Sequence, residues 1–193
     1  MDPERALVAE AAAGNREAFD ELVRRHQVRI YRLARVLAGG DGDAEDLAQE
    51  TFIRAFRGIA RFRGDSSFGT WLHRIALNVI KSHVSRRARR PRVVSSTPDA
   101  TRESLIENIA SQDDFELVIH RRQAIDDALG TLPADHRSLV VLRDIQGLEY
   151  HEIASITGLP LGTVESRIFR ARQRLRPLLE HLFVRSGRGG LLE

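Results

Sequence analysis

Apolar side chains recur at helical spacing along most of this chain. In the first 90 residues, one stripe advances in steps of four and three residues, which places its members on one side of a helix: Phe19, Val23, His26, Ile30, Leu33 and Leu37. Gly39 and Gly40 are typical of the end of such a helix, and Asp43 is placed to cap the next one. Nothing alternates with a period of two for long enough to predict a strand.

Two more helices complete the predicted first domain, residues 1–90. The inner face of the second helix is made of small and apolar side chains: Ala44, Leu47, Ala48, Thr51, Phe52 and Ala55. The turn from Gly64 to Ser67 supplies an N-cap for the third helix. That helix buries Phe68, Leu72, Ile75, Val79 and Val84. Amphipathic helices of this kind pack as a small bundle, so the predicted fold class is all-α.

The helical pattern fades after Pro91 and resumes near Phe115. Prolines, serines and scattered acids over residues 91–118 are typical of a flexible acidic linker, within which residues 105–109 could form a short helix. The second helical domain is predicted over residues 119–184, and residues 185–193 are predicted to be a disordered tail. The chain is therefore expected to consist of two small helical domains joined by a flexible linker.

The second domain ends with the pattern of a helix-turn-helix. A short helix from Tyr150 to Thr157 precedes the turn Gly158–Pro160 and a long helix that begins at Leu161 or Gly162. Ala154 is small enough for two helices to cross closely, and Gly158 can adopt the left-handed conformation that the turn needs. The shared core of the motif is predicted to be Ile153, Ile156, Leu159, Val164 and Ile168.

The polar side of the last helix carries groups that can read DNA. Thr163 lies in its first turn, and the outward positions are Glu165, Ser166, Phe169, Arg170 and Gln173. Arginine binds guanine or phosphate, serine can bond either, and an exposed phenylalanine contacts the thymine methyl group. The alternative is a plain helical hairpin with a solvated arginine-rich face. The spacing of Ala154, Gly158 and Val164 favours DNA binding.

The distribution of charge along the chain indicates two binding sites for a polyanion rather than one. The 193 residues carry a net charge of +3, but residues 1–90 carry +5, residues 91–118 carry −4 and residues 119–193 carry +2. Basic runs without an acid extend from Lys81 to Arg92 and from Arg167 to Arg176. Two basic clusters separated by an acidic stretch indicate a protein that binds a polyanion at two places. The basic residues are almost all arginines. A GC-rich genome would by itself produce this preference over lysine, so the preference alone does not indicate binding.

A second candidate surface lies on the third helix of the first domain. Trp71, Arg74, Asn78, Lys81 and Ser85 share one flank of it. An aromatic ring among cationic and amide groups can hold unpaired bases, and the preceding turn could receive a flipped base. The alternative is that Trp71 is simply a core residue.

Other chemistry finds little support in the sequence. The acids Asp41, Asp43, Glu45, Asp46 and Glu50 fit either a metal site or a solvated helix start. The seven histidines lack ligand spacing, and no nucleotide-binding loop or nucleophile motif occurs. We therefore expect no enzyme activity, metal, cofactor or small-molecule substrate. Without cysteine, a signal segment or an apolar run of membrane length, the protein is expected to be cytoplasmic, with no direct membrane insertion.

Two segments in the right order resemble the extracytoplasmic-function sigma factors of the σ70 family, most closely the envelope-stress subgroup. The first comprises DAEDLAQETFIRAF at residues 43–56 and FRGDSSFGTWLHRIALN at residues 62–78. The second comprises GLEYHEIA at residues 147–154 and GTVESRIFRAR at residues 162–172. The similarity extends over nearly everything from residue 5 to residue 182, apart from the linker.

The resemblance implies three functional surfaces. The polymerase-docking residues would be Asp43, Asp46, Gln49, Glu50, Ile53, Arg54 and Arg57. The residues that capture unpaired bases of the promoter −10 element, or meet the adjoining duplex, would be Phe62, Arg63, Asp65, Ser66, Ser67, Phe68, Trp71, Arg74, Asn78, Lys81, Arg86 and Arg87. The residues that read the −35 element from the last helix would be Thr163, Glu165, Ser166, Arg167, Phe169, Arg170, Gln173 and Arg174.

The resemblance also implies partners. These are core RNA polymerase, through the β′ clamp coiled-coil and the β subunit, and promoter DNA. Family members respond to stress and are usually held inactive by an anti-sigma factor, often membrane-anchored, that covers both domains. The linker would thread through polymerase toward the RNA exit path.

Departures from the family pattern limit what can be transferred. Glu165 stands where close relatives commonly have a basic residue, so the −35 sequence cannot be taken from them. Glu149 stands where a serine cap is frequent, which weakens the prediction of that cap. Two alternative functions stay open: a stand-alone helix-turn-helix regulator that binds duplex DNA without polymerase, and a scaffold protein without affinity for DNA.

Overall fold

The computed structural model describes residues 3–40, 42–89 and 112–184, and every regular element within them is helical. The first block contains α1 (Pro3–Ala12), α2 (Arg16–Ala38), α3 (Ala44–Gly58), a 3-10 turn (Ile59–Arg61) and α4 (Phe68–Arg89). The second contains α5 (Gln112–Gly130), α6 (Ala134–Val140), a π-helical turn (Val141–Ile145), α7 (Tyr150–Thr157) and α8 (Leu161–Val184). The all-α prediction with two helical domains is confirmed.

The first block is a bundle whose core follows the predicted stripe. Ile30 and Leu33 of α2 and Leu72 of α4 are fully buried. Leu22 is also fully buried although the predicted stripe omits it, because the buried face of α2 is wider than one row of side chains. Val84, predicted to be buried, is 37% exposed, because it lies on the outer side of the last turns of α4, where residues 84–89 are all exposed.

Local capping sets the ends of these helices. Asn15 accepts the Ala18 N–H at the start of α2, and Gly39 ends that helix with φ 85°. The Ser67 hydroxyl accepts the Thr70 N–H at 3.0 Å, so the predicted cap of α4 is confirmed. Asp43 forms no side-chain cap on α3, contrary to the prediction. Its Oδ2 instead lies 2.9 Å from Arg87 Nη1 and 3.2 Å from His83 Nε2, two groups of α4 that compete for the carboxylate.

The second block packs around Leu139, Leu142, Ile153 and Ile168. Its α5 begins at Gln112, earlier than the domain boundary at residue 119 that the sequence suggests. Residues 112–118 contain neither proline nor glycine, so nothing in their sequence opposes a helix. The helix predicted at residues 105–109 and the tail from residue 185 lie outside the described residues. None of the described helices is long and apolar enough to cross a membrane.

Candidate nucleic-acid interface

The second block contains the predicted helix-turn-helix. Gly158 adopts the left-handed conformation, with φ 73° and ψ 12°, and its N–H donates to the Ala154 carbonyl at 2.8 Å. Ile153, Val164 and Ile168 are fully buried between α7 and α8. The turn residue that the sequence identified is therefore the one that reverses the chain, because a residue with a Cβ would be strained at this φ.

The start of α7 is capped by a pair of glutamates. Glu149 and Glu152 form a capping box, in which the Glu149 N–H donates to Glu152 Oε2 at 2.9 Å. Arg143 supports this end from the π-helical turn, with Nη1 3.0 Å from Glu149 Oε1 and its guanidinium 4.7 Å from the centre of the Tyr150 ring. Glu149, at the position where a serine cap is frequent, therefore still caps α7, through the capping box with Glu152.

The outward side of α8 is a continuous polar face, which we call the reading face. Six of the eight predicted −35 residues are exposed on it: Glu165, Ser166, Phe169, Arg170, Gln173 and Arg174. Phe169 is 62% exposed, the largest value among the large apolar side chains described. Thr163 and Arg167 are half-buried, and Arg167 Nη1 lies 3.9 Å from Asp135 Oδ2. An exposed aromatic ring among arginines suits contact with a thymine methyl group and phosphates in a major groove.

Three aromatic rings form a cluster at the beginning of α4. The Trp71 ring centre lies 5.0 Å from that of Phe62 and 5.7 Å from that of Phe68. Phe68 is 4% exposed and so lies in the core, whereas Phe62 and Trp71 are half-buried. Phe68 therefore supports the cluster from beneath rather than presenting a surface to a base. Trp71 combines the two roles that the sequence left open, because its ring packs on the core and keeps one part accessible.

Cationic and polar groups surround this cluster and continue along α4, and we call the whole the capture surface. It comprises the predicted −10 residues from Phe62 to Arg87, of which Arg63, Asp65, Ser67, Arg74, Asn78, Lys81, Arg86 and Arg87 are exposed and Ser66 is half-buried. Arg63 and Asp65 form an ion pair at 3.1 Å. Arg87 is shared with Asp43, which ties this end of the capture surface to the start of α3.

The outer side of α3 forms a third face, the docking face. Asp46, Gln49, Ile53, Arg54 and Arg57 are exposed on it, and Glu50 is half-buried with Oε1 2.7 Å from Arg54 Nε. The seventh predicted docking residue, Asp43, is turned toward α4. Phe56 is 46% exposed beside Ile53 and was missed by the sequence reasoning, although its place one turn after Ile53 was a usable signal. A mixed apolar and charged face of this kind suits a protein partner.

The acids near α3 do not gather into a metal site. Among the described residues, no group of three or more histidines, cysteines or carboxylates is arranged to hold a metal ion. Asp41 lies outside the described residues. The described acids contribute instead to the start of a helix and to ion pairs with basic side chains.

Two buried histidines of the first block lie behind the capture surface. Burial lowers the pKa of His73, and the bond between its Nδ1 and the Gly69 carbonyl at 2.7 Å offsets part of that effect. Burial also lowers the pKa of His26, whose Nε2 lies 3.3 Å from Glu4 Oε1. The apolar stripe placed His26 on the buried side of its helix, whereas the sequence gave no such signal for His73. Neutral rings at these positions keep the base of α4 packed.

The beginning of α4, including Arg74 of the capture surface, contacts the second block, and the sequence did not predict this contact. The Thr70 hydroxyl donates to Glu152 Oε1 at 3.0 Å. Arg74 Nη2 donates to the Ser155 carbonyl at 2.8 Å and lies 3.0 Å from the Ser155 hydroxyl. The first helix of the helix-turn-helix therefore lies against the beginning of α4.

Comparison with protein families assigns both blocks. Residues 22–90 match Sigma-70 region 2, and residues 122–175 match Sigma-70, region 4. The RNA polymerase sigma-H factor of Pseudomonas aeruginosa is 36% identical over 192 residues, which cover 94% of this chain and 96% of that protein. The ECF RNA polymerase sigma-E factor of Escherichia coli K12 is 38% identical over 186 residues, covering 91% and 96% of the two chains.

Two solved structures resemble the whole arrangement. CnrH, in complex with the cytosolic domain of CnrY, is 33% identical, with a TM-score of 0.71 over 93% of this chain and 99% of its own. The sigma factor RpoE in complex with the anti-sigma factor NepR, from Bartonella quintana, is 27% identical, with a TM-score of 0.63 over 84% of this chain and 96% of its own. Coverage of this extent includes parts of both helical blocks.

Proposed function

This chain belongs to the sigma-70 family as an extracytoplasmic-function sigma factor with regions 2 and 4, and from that premise we propose how its surfaces divide the work of starting transcription. The docking face of α3 binds core RNA polymerase, chiefly the coiled-coil of the β′ clamp, and the β subunit meets other parts of the chain. The capture surface of α4 holds unpaired bases of the −10 element. The reading face of α8 enters the major groove at the −35 element.

One observation carries this proposal: each of the two matched regions presents an exposed cationic face on a helix of its own. Lys81, Arg86 and Arg87 extend the face of α4, and Arg170 and Arg174 lie on the face of α8. A correct base contact contributes about 1–3 kcal/mol of discrimination, so either face alone would choose weakly. Joining the faces in one chain makes the second binding step intramolecular and allows selection of two elements together.

The energy needed to open DNA explains why polymerase is part of the proposal. Separating the strands costs on the order of 1.4 kcal/mol for each base-pair step. A surface with one accessible aromatic ring pair, Phe62 and Trp71, holds only a few bases. Polymerase must therefore supply most of the free energy of melting, and we assign this chain no catalysis of its own.

Regulation by an inhibitor completes the proposal. We place the protein in the cytoplasm, where promoters and core polymerase are found, and expect an anti-sigma factor to hold it inactive until stress releases it. The complex of Bartonella quintana RpoE with NepR supports an inhibitor of this class, because the similarity to that sigma factor covers 84% of this chain. A membrane anchor on the inhibitor would connect a signal at the cell envelope with transcription.

Run-off transcription on a genomic promoter library, with core RNA polymerase and the purified protein, tests the assignment. We expect Arg170→Ala to reduce transcription from promoters with the upstream element and to flatten the preference for its sequence. One lost contact of 1–3 kcal/mol corresponds to about a 5- to 150-fold decrease. Arg176→Ala is the matched control, since Arg176 is exposed on the same helix but lies roughly 240° around it.

Two results would contradict the proposal. Start sites that do not change when the protein is added to core polymerase would exclude a specificity subunit. Tight and selective binding to promoter duplexes without polymerase, measured by gel shift, would favour the stand-alone regulator instead.

A further inference from the structure

The reading face carries one side chain whose charge is unfavourable on a surface that meets DNA. Glu165 is exposed in the second turn of α8, on a face that also holds Arg170 and Arg174. We propose that Glu165 is a specificity-determining residue: its carboxylate accepts the amino group of a cytosine in the major groove, so the −35 element of this protein contains a cytosine at the position that Glu165 meets. The inference rests on the proposed function for the place of that cytosine in a promoter.

The local structure gives the Glu165 carboxylate no other role. Among the described residues, no hydrogen bond or ion pair engages it. The positions three and four residues away on either side are uncharged: Leu161, Gly162, Ile168 and Phe169. No ion pair of the usual helical spacing is therefore available. Glu165 is also the fifth residue of α8, beyond the first turn in which an acid stabilises a helix through its dipole.

Two arginines that Glu165 could have oriented have other partners. Arg172 lies two turns further along the same side of α8, and its Nε donates to Asp144 Oδ2 at 3.2 Å while its Nη2 donates to Oδ1. Arg167 approaches Asp135, with Nη1 3.9 Å from Oδ2. Each of these cations already has a carboxylate of its own block as a partner, so neither of them offsets the charge of Glu165.

A carboxylate without a partner weakens binding to a polyanion. The reading face approaches phosphates that supply one negative charge per about 1.7 Å of duplex axis, and Glu165 opposes the attraction of Arg170 and Arg174 for them. A hydrogen bond from a base offsets this repulsion. Glu165 therefore penalises every duplex that lacks a donor at the position it meets, and a penalty of this kind is how a binding surface rejects the wrong sequence.

The chemistry of the major groove identifies the base that Glu165 favours. An ionised carboxylate has acceptors only, and only cytosine and adenine present a donor in the groove, the amino group at N4 or N6. Adenine places its own N7 acceptor beside N6, where it repels the second carboxylate oxygen, whereas cytosine presents no acceptor of its own. Guanine O6 and N7 and thymine O4 are acceptors as well. The expected order of preference is cytosine, then adenine, then thymine and guanine.

The geometry of α8 places Glu165 within reach of base edges. The first residues of a recognition helix are the ones that contact bases, and the burial of Val164 and Ile168 fixes the rotation of this helix. Phe169 follows Glu165 by one turn, about 6 Å along the axis, which is less than two base-pair steps of about 3.4 Å. The cytosine is therefore expected within two base pairs of the thymine that Phe169 contacts.

Transcription from a randomised promoter library tests the inference. Core RNA polymerase and the full chain transcribe templates in which the upstream element of an active genomic promoter is randomised, and sequencing of the transcripts gives the base preference at each position. We expect one position at which cytosine is favoured by about 5- to 150-fold, the range for one base contact. Glu165→Ala should abolish the preference at that position and leave the other positions unchanged.

Further variants separate base reading from a structural role. Glu165→Gln should move the preference toward adenine, since an amide bonds N6 and N7 together, and Glu165→Arg should move it toward guanine. Glu165→Ala should bind duplexes of unrelated sequence more tightly than the unaltered protein does, because the repulsion of phosphates is removed. Glu180→Ala is the matched control, since Glu180 is exposed on the same helix but lies roughly 22 Å further along it. This control should leave every base preference unchanged.

Three results would overturn the inference: the absence of a position that prefers cytosine, a cytosine preference that persists in Glu165→Ala, or an equal loss of transcription from all templates in that variant. Selection of randomised duplexes by the full chain without polymerase separates this failure from failure of the proposed function. If polymerase gives no selective transcription, but the chain alone selects a cytosine that Glu165→Ala no longer requires, the base reading stands and the proposed function fails. If polymerase selects promoters with no preference that depends on Glu165, the proposed function stands and the inference fails. If neither assay shows selection, both fail.

Discussion

The two helices that are expected to face DNA differ in what already touches them. On α8, Phe169 and Arg170 extend into solvent. On α4, Arg74 and Thr70 are bonded to α7, and Arg87 is bonded to Asp43. The middle of the α8 face is therefore free, although Arg167 at its edge approaches Asp135, whereas the α4 face is engaged near both of its ends. Both helices carry exposed arginines.

This difference determines how each face responds to substitution. A side chain on a free face affects only the affinity for DNA, so its removal produces the full loss of one contact. A side chain on an engaged face would affect two equilibria, since it stabilises the contact between the two blocks and is also proposed to contact DNA. The same substitution, arginine to alanine, is therefore expected to have unequal effects on α4 and α8.

The largest expected effect separates the docking face from both DNA faces. Asp46→Lys combined with Glu50→Lys places like charges where polymerase is expected to carry basic groups, which costs several kcal/mol. We expect affinity for core polymerase to fall more than about 100-fold, while binding of the reading face to duplex DNA stays unchanged. Fluorescence anisotropy of the labelled protein, titrated with core polymerase, measures the loss.

The matched control is Glu17→Lys combined with Asp20→Lys on α2, which changes the net charge equally at exposed positions outside the three surfaces. Circular dichroism should show the same helicity for both double variants. An equal loss of polymerase binding in the two variants would mean that net charge, and not the docking face, governs the interaction.

Sequence patterns predicted the helices, their cores and the turn of the helix-turn-helix. The period of 3.6 residues placed the cores of both blocks, and the need for a left-handed residue placed Gly158 in the turn. These features are local, so a single sequence contains them. The helical pattern also predicted the burial of Phe68, whereas the resemblance placed Phe68 among the base-capturing residues, and at 4% exposure the structure agrees with the pattern.

Contacts between distant segments were beyond sequence reasoning. Glu152 and Thr70 are separated by 82 positions, and Arg35 and Asp126 by 91. Each residue is polar and typical of a solvated helix, so no periodicity distinguishes it from its neighbours. The prediction that Asp43 caps α3 was wrong for the same reason: the sequence could not show that His83 and Arg87 of α4 approach this carboxylate.

The stability of the first block, which carries the engaged face, should also be more sensitive to acid than that of the second block. The buried histidines among the described residues, His26 and His73, both lie in the first block, and burial lowers the pKa of each. The folded block keeps these rings neutral, whereas the unfolded chain binds protons below about pH 6.5. Stability is therefore fully present above that pH and is lost as the pH falls below it, by at most about 1.4 kcal/mol per pH unit for each ring.

Urea unfolding at pH 7.5 and pH 5.5, followed by the fluorescence of Trp71, measures this loss. Trp71 is the single tryptophan of the chain and lies in the first block, so it reports that block. The groups near the two rings include Glu4, Arg25, Arg29 and Gln146. His73→Gln should make the difference between the two pH values smaller. An unfolding midpoint that does not fall on acidification would show that these rings do not control the stability of the block.

The smallest expected effect is the one that distinguishes the two DNA faces directly. Arg74→Ala would remove the proposed contact to the −10 element and also the bond to Ser155 between the two blocks. The two consequences oppose each other, so we expect less than about a fivefold decrease in transcription, against up to about 150-fold for Arg170→Ala. Affinity for core polymerase should rise, because the contact between the two blocks becomes weaker and the blocks separate more easily.

Asn78→Ala is the matched variant on the same flank of α4, because Asn78 is exposed one turn beyond Arg74. Its loss should reduce transcription without any rise in affinity for polymerase. Arg74→Lys keeps a positive charge for phosphates, but the shorter lysine side chain does not reach the position from which Arg74 Nη2 contacts both the carbonyl and the hydroxyl of Ser155. Transcription should therefore equal or exceed that of the unaltered protein. If Arg74→Lys and Asn78→Ala change both measurements in the same way, Arg74 acts only on DNA, and the contrast between an engaged and a free face is lost.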